Sequence, residues 1–200
     1  MADLVQSFVL TFVPLFIVID PLGNLPFVIS MSEGLTVREG RKLVLIAVAT
    51  AALVGLVFLF FGQFILTVMG IDFGSLAIAG GLILLVLSIK HMTTGQMMDV
   101  IKEEMMAVVP IGTPLTVGPA TITTLLLLTA QFPLYVVLIS FLLNLVVTWL
   151  IFQLSHQIVR FTGQGGVKAV SRIFSLLLAA IAVSMIIRGL DLLGVLILPG

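Results

Sequence analysis

Between Asp3 and Glu33 the chain carries one charge, Asp20, and it lies inside an apolar run. A carboxylate at bilayer depth costs roughly 2.5–3.5 kcal/mol or more, and it normally faces the interior of a helix bundle. Two kinds of work suit such a group. It can load and release a proton or hold a substrate amine. It can also cap a restarted helix, because Asp ahead of a proline at the first helical position is a good N-cap. The residues that follow, Pro21-Leu-Gly-Asn-Leu-Pro26, favour an interruption of the helix. Each proline lacks an N–H, and its ring clashes with the carbonyl four residues earlier, so Pro21 and Pro26 are expected to orphan the carbonyls of Ile17 and Leu22. Gly23 permits close approach. The Asn24 amide can hold exposed backbone or a substrate carboxylate.

A second motif of the same form, Pro114-Leu-Thr-Val-Gly-Pro119, lies 93 residues on for both prolines (114 − 21 and 119 − 26). Pro114 and Pro119 are expected to orphan the carbonyls of Pro110 and Leu115. Thr113, Thr116, Thr121 and Thr124 make a hydroxyl-rich zone around it. Threonine in a membrane helix commonly bonds its own i−4 carbonyl; Thr116 and Thr121 are the candidates for ligand contact. The half-helix beginning after Pro119 would present backbone N–H groups suited to a carboxylate. The candidate solute-binding set is therefore Asp20, Gly23, Asn24, Thr116, Gly118 and Thr121. Pro21, Pro26, Pro114 and Pro119 make the breaks, and Asp20 is the candidate for proton coupling.

The elements that position these motifs are long apolar stretches. The chain has 200 residues, of which 60% are hydrophobic and 9% charged, and a mean hydropathy of +1.35. A soluble domain carries about 25% charged residues, so lipid must cover much of this outside. Six stretches reach the roughly 20 residues that a spanning helix needs: Val5–Ser30, Leu43–Val68, Ser75–Met92, Met105–Ala130, Phe132–Leu154 and Ile173–Leu193. Strands of a membrane barrel would alternate over about ten residues, and these runs do not. Polar or glycine-rich separators are expected to be loops: Ser32–Lys42, Gly70–Gly74, Thr93–Glu104, Gln131–Pro133 and Arg160–Arg172.

The two motifs lie three predicted spans apart, in the first and the fourth. Because three is odd, the second half enters the membrane from the opposite face. The expected fold is an all-α membrane protein of six transmembrane helices, built as two inverted three-helix repeats, residues 1–98 and 99–200, with helices one and four broken. Broken backbone cannot face lipid and must line a polar cavity or be buried in protein; in inverted-repeat transporters that place is the substrate site. The loops between spans one and two, three and four, and five and six hold most of the Lys and Arg. The positive-inside rule then puts both termini on the extracytoplasmic side. The N-terminus has no basic region of a cleavable signal.

The string Asp20–Phe27, the later Ala79-Gly-Gly81 and the run Pro110–Pro119 resemble the MarC family of integral membrane proteins. So do the basic first loop and the ending Arg172-Ile-Phe-Ser-Leu-Leu-Leu-Ala179. The resemblance covers nearly the whole chain, with departures at Thr113, Thr116 and Val117. It implies a multi-pass protein of the bacterial or archaeal plasma membrane, of a kind described as neutral amino-acid transporters.

The expected function is secondary transport of a small neutral solute, such as glycine or alanine, by alternating access. A passive channel and a non-transporting scaffold or regulatory protein are the competing readings. No cofactor is expected beyond a coupling H⁺ or Na⁺. No catalytic motif or metal-ligand cluster is recognisable, so the chain is expected not to be an enzyme. Zero net charge gives no reason to expect nucleic acid. The expected partners are the solute, the bilayer and, for so short a chain, a second copy in a homo-oligomer. Ala47, Ala51 and Gly55, and Gly80-Gly81, suit close helix packing. Asn144 is expected to bond between helices, and Arg188 to pair with Asp191 three residues on.

Overall fold

The computed structural model describes residues 2–32, 34–94 and 117–196, and every regular element among them is a helix. In chain order these are α1 (Ala2–Ile19), α2 (Leu25–Ser32), α3 (Val37–Met69), α4 (Phe73–Thr94), α5 (Pro119–Gln131), α6 (Leu134–Gln153) and α7 (Ser155–Leu192). Four helices, α3, α4, α6 and α7, are long and apolar enough to cross a membrane. The first predicted span is divided into α1 and α2. The second part of the fourth is α5, at 13 residues about 20 Å long by helical rise and shorter than a bilayer core. The first part of the fourth span, with Pro114 and Thr116, lies outside the described residues.

Two expected loops are partly or wholly helical. α3 begins at Val37, inside the polar Ser32–Lys42 segment, because Thr36 and Glu39 form a capping box that satisfies the first turn. The Arg160–Arg172 segment continues as helix, and only Gly163 leaves helical geometry (φ 70, ψ 165). Its glycines are overridden by packing: Val167 is buried in a cluster with Leu25, Val28, Val44 and Phe152. Gly70–Gly74 and Gln131–Pro133 interrupt the helices as expected, whereas α4 runs on through Thr93 and Thr94, and residues 95–104 of the remaining separator lie outside the described residues. Gly70 closes α3 in the left-handed region, and Phe132-Pro133 divides α5 from α6.

The packing places α1 and α5 in the middle. One apolar cluster joins them to α3 and α6 through Leu15, Ala51, Leu125 and Phe141. A second joins them to α4 and α7 through Ile17, Ala77, Ala120 and Leu178. Small residues set the distances, as their spacing suggests. A Cβ on Gly55 would stand 2.1 Å from the Phe141 ring, and one on Gly81 would stand 2.7 Å from the Ala182 carbonyl oxygen. α3 buries one stripe, Val44, Ala51, Gly55, Leu59, Gly62 and Leu66. Val48, Ala52, Val54 and Leu56 pack partly buried beside it, while others, among them Phe60, Phe61 and Phe64, stay exposed. That is the reverse of what water would select, and it fits a lipid-facing surface.

Candidate functional site: the helix breaks and the cavity beside them

The first break is real and is built by its own side chains. α1 stops at Ile19, and residues 20–24 form a turn before α2. Asp20 adopts φ +46, a left-handed conformation that Asp tolerates better than most residues. Its Oδ1 accepts from the Gly23 N–H at 3.0 Å, which closes the turn; the helix restarts only at Leu25, so Pro21 is not its first residue and Asp20 is not its N-cap. The Asp20 carboxylate folds so closely over Gly23 that a Cβ there would lie 2.1 Å from Oδ2. Asn24 reaches back across the turn, its Nδ2 donating to the Ile19 carbonyl at 3.1 Å. Leu22 does not lose its carbonyl partner as the proline rule predicts. The turn hands it the Leu25 N–H at 3.2 Å, because the i−4 rule presumes a helix that is no longer present. Asp20 and Asn24 are each only 2% exposed, Pro21 is buried and Pro26 is exposed.

The described part of the second break is simpler. Val117 is fully buried. Gly118 is the N-cap residue of α5 in extended conformation, and no side chain caps the helix. Pro119 occupies a first-turn position, so the backbone donors of α5 begin with Ala120. Thr121 is 2% exposed. Thr124 takes the self-bonding option, its hydroxyl donating to the Ala120 carbonyl at 2.9 Å.

The end of α1 and the start of α5 share an apolar cluster, Ile17 and Val18 with Ala120 and Leu127. Asp20 follows Val18 by two residues, and Gly118 precedes Ala120 by two. Asp20 and Gly118 therefore each lie two residues from a member of one buried apolar cluster.

Beside that contact a cavity of about 550 Å³ runs toward the other end of α5. Leu10 and Pro14 of α1, Thr124 to Gln131 along α5, and Ile181 to Asp191 along α7 line it. Leu127 and Met185 of its wall belong to the same apolar cluster as Ile17, Val18, Ala120 and Leu178. At its rim Arg188 does not pair with Asp191 as expected. Its Nη1 donates to Gln131 Oε1 at 2.6 Å, because the end of α5 lines the same cavity as α7 and supplies an acceptor that sequence proximity cannot reveal.

A polar seam joins α1 to α6. Thr11 and Ser140 share a 2.6 Å hydrogen bond. Asn144 Nδ2 donates to the Phe12 carbonyl at 3.1 Å, which makes Asn144 the interhelical bond expected of it. Thr148 bonds the Asn144 carbonyl at 2.8 Å. Sequence reasoning singled out Asn144 alone, although Ser140, Asn144 and Thr148 recur every four residues and so lie on one helix face.

Long apolar helices with lipid-type exposed surfaces around an interrupted, polar-lined centre define a polytopic helical integral membrane protein. Comparison with known sequences agrees. The chain belongs to the MarC family of integral membrane proteins, whose sequence model matches residues 5–193. The UPF0056 inner membrane protein YhgN of Escherichia coli K12 is 33% identical over 181 residues, 88% of this chain and 92% of the relative. A UPF0056 membrane protein of Archaeoglobus fulgidus is 32% identical over 201 residues, 94% of each chain. Another, from Buchnera aphidicola of Baizongia pistaciae, is 31% identical over 183 residues, 88% of this chain and 92% of the relative. No solved structure matches the chain.

Proposed function

We propose that the chain is a secondary transporter of a small neutral solute, an amino acid such as glycine or alanine, moved unchanged across the membrane by alternating access. It crosses six times as two inverted three-helix repeats, with both termini extracytoplasmic. The inner membrane is its expected location, the one printed in the name of the Escherichia coli relative. The solute site is the region between the two breaks, formed by Asp20, Gly23, Asn24, Thr116, Gly118 and Thr121. Asp20 is the group that would couple a proton.

The observation that carries this reading is the buried carboxylate of the turn between α1 and α2, two residues beyond an apolar cluster that also holds Ala120 in the first turn of α5. Each half supplies one interruption. The helix pairing supports the inverted halves. Gly55 of α3 meets Phe141 of α6, and Val44 shares a cluster with Phe152, so α3 and α6 run antiparallel. Gly74 of α4 meets Gly189 of α7, and Gly81 meets Ala182, again antiparallel. Leu10 and Gln131 line one cavity, while Ile17 and Ala120 share a cluster, so α1 and α5 are antiparallel as well. A two-fold axis lying in the membrane plane requires each helix to oppose its own counterpart in this way.

Alternating access draws support from two seams that this symmetry would make equivalent. Between α4 and α5 the fit is tight, with a Cβ on Gly80 only 2.3 Å from Thr123 Cγ2. Between α1 and α7 the cavity opens. Equivalent seams that differ in this way are what a state open on one side needs.

The test is counterflow of radiolabelled neutral amino acids into proteoliposomes, repeated with Asp20→Asn. This variant keeps an acceptor for the Gly23 N–H but carries no titratable proton. Saturable counterflow is expected, and Asp20→Asn should abolish the response of flux to an imposed pH gradient. Flux without counterflow would favour a channel, and no flux a scaffold. An unchanged pH response in Asp20→Asn would remove the coupling role.

A further inference from the structure

The cavity between α1, α5 and α7 has chemistry of its own. Its volume of about 550 Å³ is in the roughly 300–1,000 Å³ range of small-molecule sites. Arg188 and Asp191 both line it; three residues apart on α7, they stand on one helix face. The Arg188 bond goes to the side-chain oxygen of Gln131, a neutral acceptor. That bond fixes the guanidinium at the rim without cancelling its charge. A guanidinium has five N–H donors in a planar fork matched to a carboxylate, so donors remain. The Asp191 carboxylate lies about one helical turn away, roughly 5 Å along the axis. Below them the wall is apolar, with Leu127 and Met185 among its residues, and Ser184 adds a hydroxyl. A singly charged ligand would satisfy one rim charge and face repulsion from the other. A ligand bearing both charges meets both.

We propose that this cavity is a binding station for a small zwitterion with an apolar substituent. The carboxylate sits on Arg188, the ammonium on Asp191 and the substituent against Leu127 and Met185. The station is taken as the entry to the pathway proposed above and extends its solutes to neutral amino acids with a larger apolar side chain; its occupancy is measurable without flux. The headgroup of phosphatidylethanolamine carries the same pair of charges, and the test separates the two sources.

The natural chain has no cysteine, so Ser184→Cys gives a single reporter in the cavity wall. The full chain carrying it, in phosphatidylglycerol nanodiscs, is treated with a methanethiosulfonate reagent with and without L-leucine. Leucine should slow modification at least five-fold. Leucinamide, which lacks the carboxylate, and 4-methylpentanoate, which lacks the ammonium, should not. Adding Arg188→Gln should remove the protection. A cysteine placed instead at Phe161, at the far end of α7, should react equally under all conditions, which confirms that each variant keeps its fold. Equal rates at residue 184 with and without leucine would overturn the proposal. So would protection that survives Arg188→Gln, or protection by phosphatidylethanolamine and not by leucine. Failure of counterflow with protection intact would overturn the transport reading and leave the station standing.

Discussion

Asp20 is held in a left-handed conformation with its carboxylate turned back on the Gly23 amide. That one bond explains why residue 23 is glycine. Gly23→Ala would force the Asp20 side chain off the amide and leave a buried donor unsatisfied. We expect a loss of about 1–3 kcal/mol, seen as a fall of several degrees in the thermal transition of detergent-purified protein; an unchanged transition would show that the turn is not tight. The Asp–Pro pair suggested an N-cap in the sequence, which the later restart at Leu25 overturns, and the doubled prolines announced a break. The way the break heals itself was not legible. The rule that orphaned the Leu22 carbonyl counts bonds in a continuous helix, whereas the turn supplies the Leu25 amide. The self-bonding of Thr124 was legible, because it needs only its own helix.

Among the elements, the contact between α3 and α6 depends on the absence of a side chain. Phe141 is fully buried, and its ring fills the space over Gly55. Gly55→Ala should cost about 1–3 kcal/mol through overpacking. Adding Phe141→Leu should recover most of that loss, because the shorter side chain vacates the space. A double-mutant cycle on thermal stability reads the coupling, and strictly additive losses would mean that the two residues do not touch. The four-residue recurrence of small residues was visible in the sequence, since helical periodicity is local. The start of α3 was also written there, as Thr36-Val-Arg-Glu39, but hydropathy alone passes over a capping box. The Gly-rich Arg160–Arg172 segment misled for the opposite reason. Its helix is supported by the burial of Val167 among α2, α3 and α6, a contact no local rule contains.

At the scale of the whole molecule, the sequence carried the membrane class and the offset between the motifs. It could not carry the cavity. Gln131 and Arg188 are 57 residues apart, and their meeting depends on how α5 lies relative to α7. The proposed transport cycle requires both halves to bring interrupted backbone to one place that opens alternately to each side. The most direct test uses Leu22→Cys, a half-buried position inside the first turn, in a chain with no other cysteine. In membrane vesicles of both orientations, an impermeant thiol reagent should reach residue 22 from either side. A transported amino acid should slow that reaction from both sides. A cysteine that reacts from one side only, or that reacts at the same rate with solute present, would contradict alternating access at the breaks.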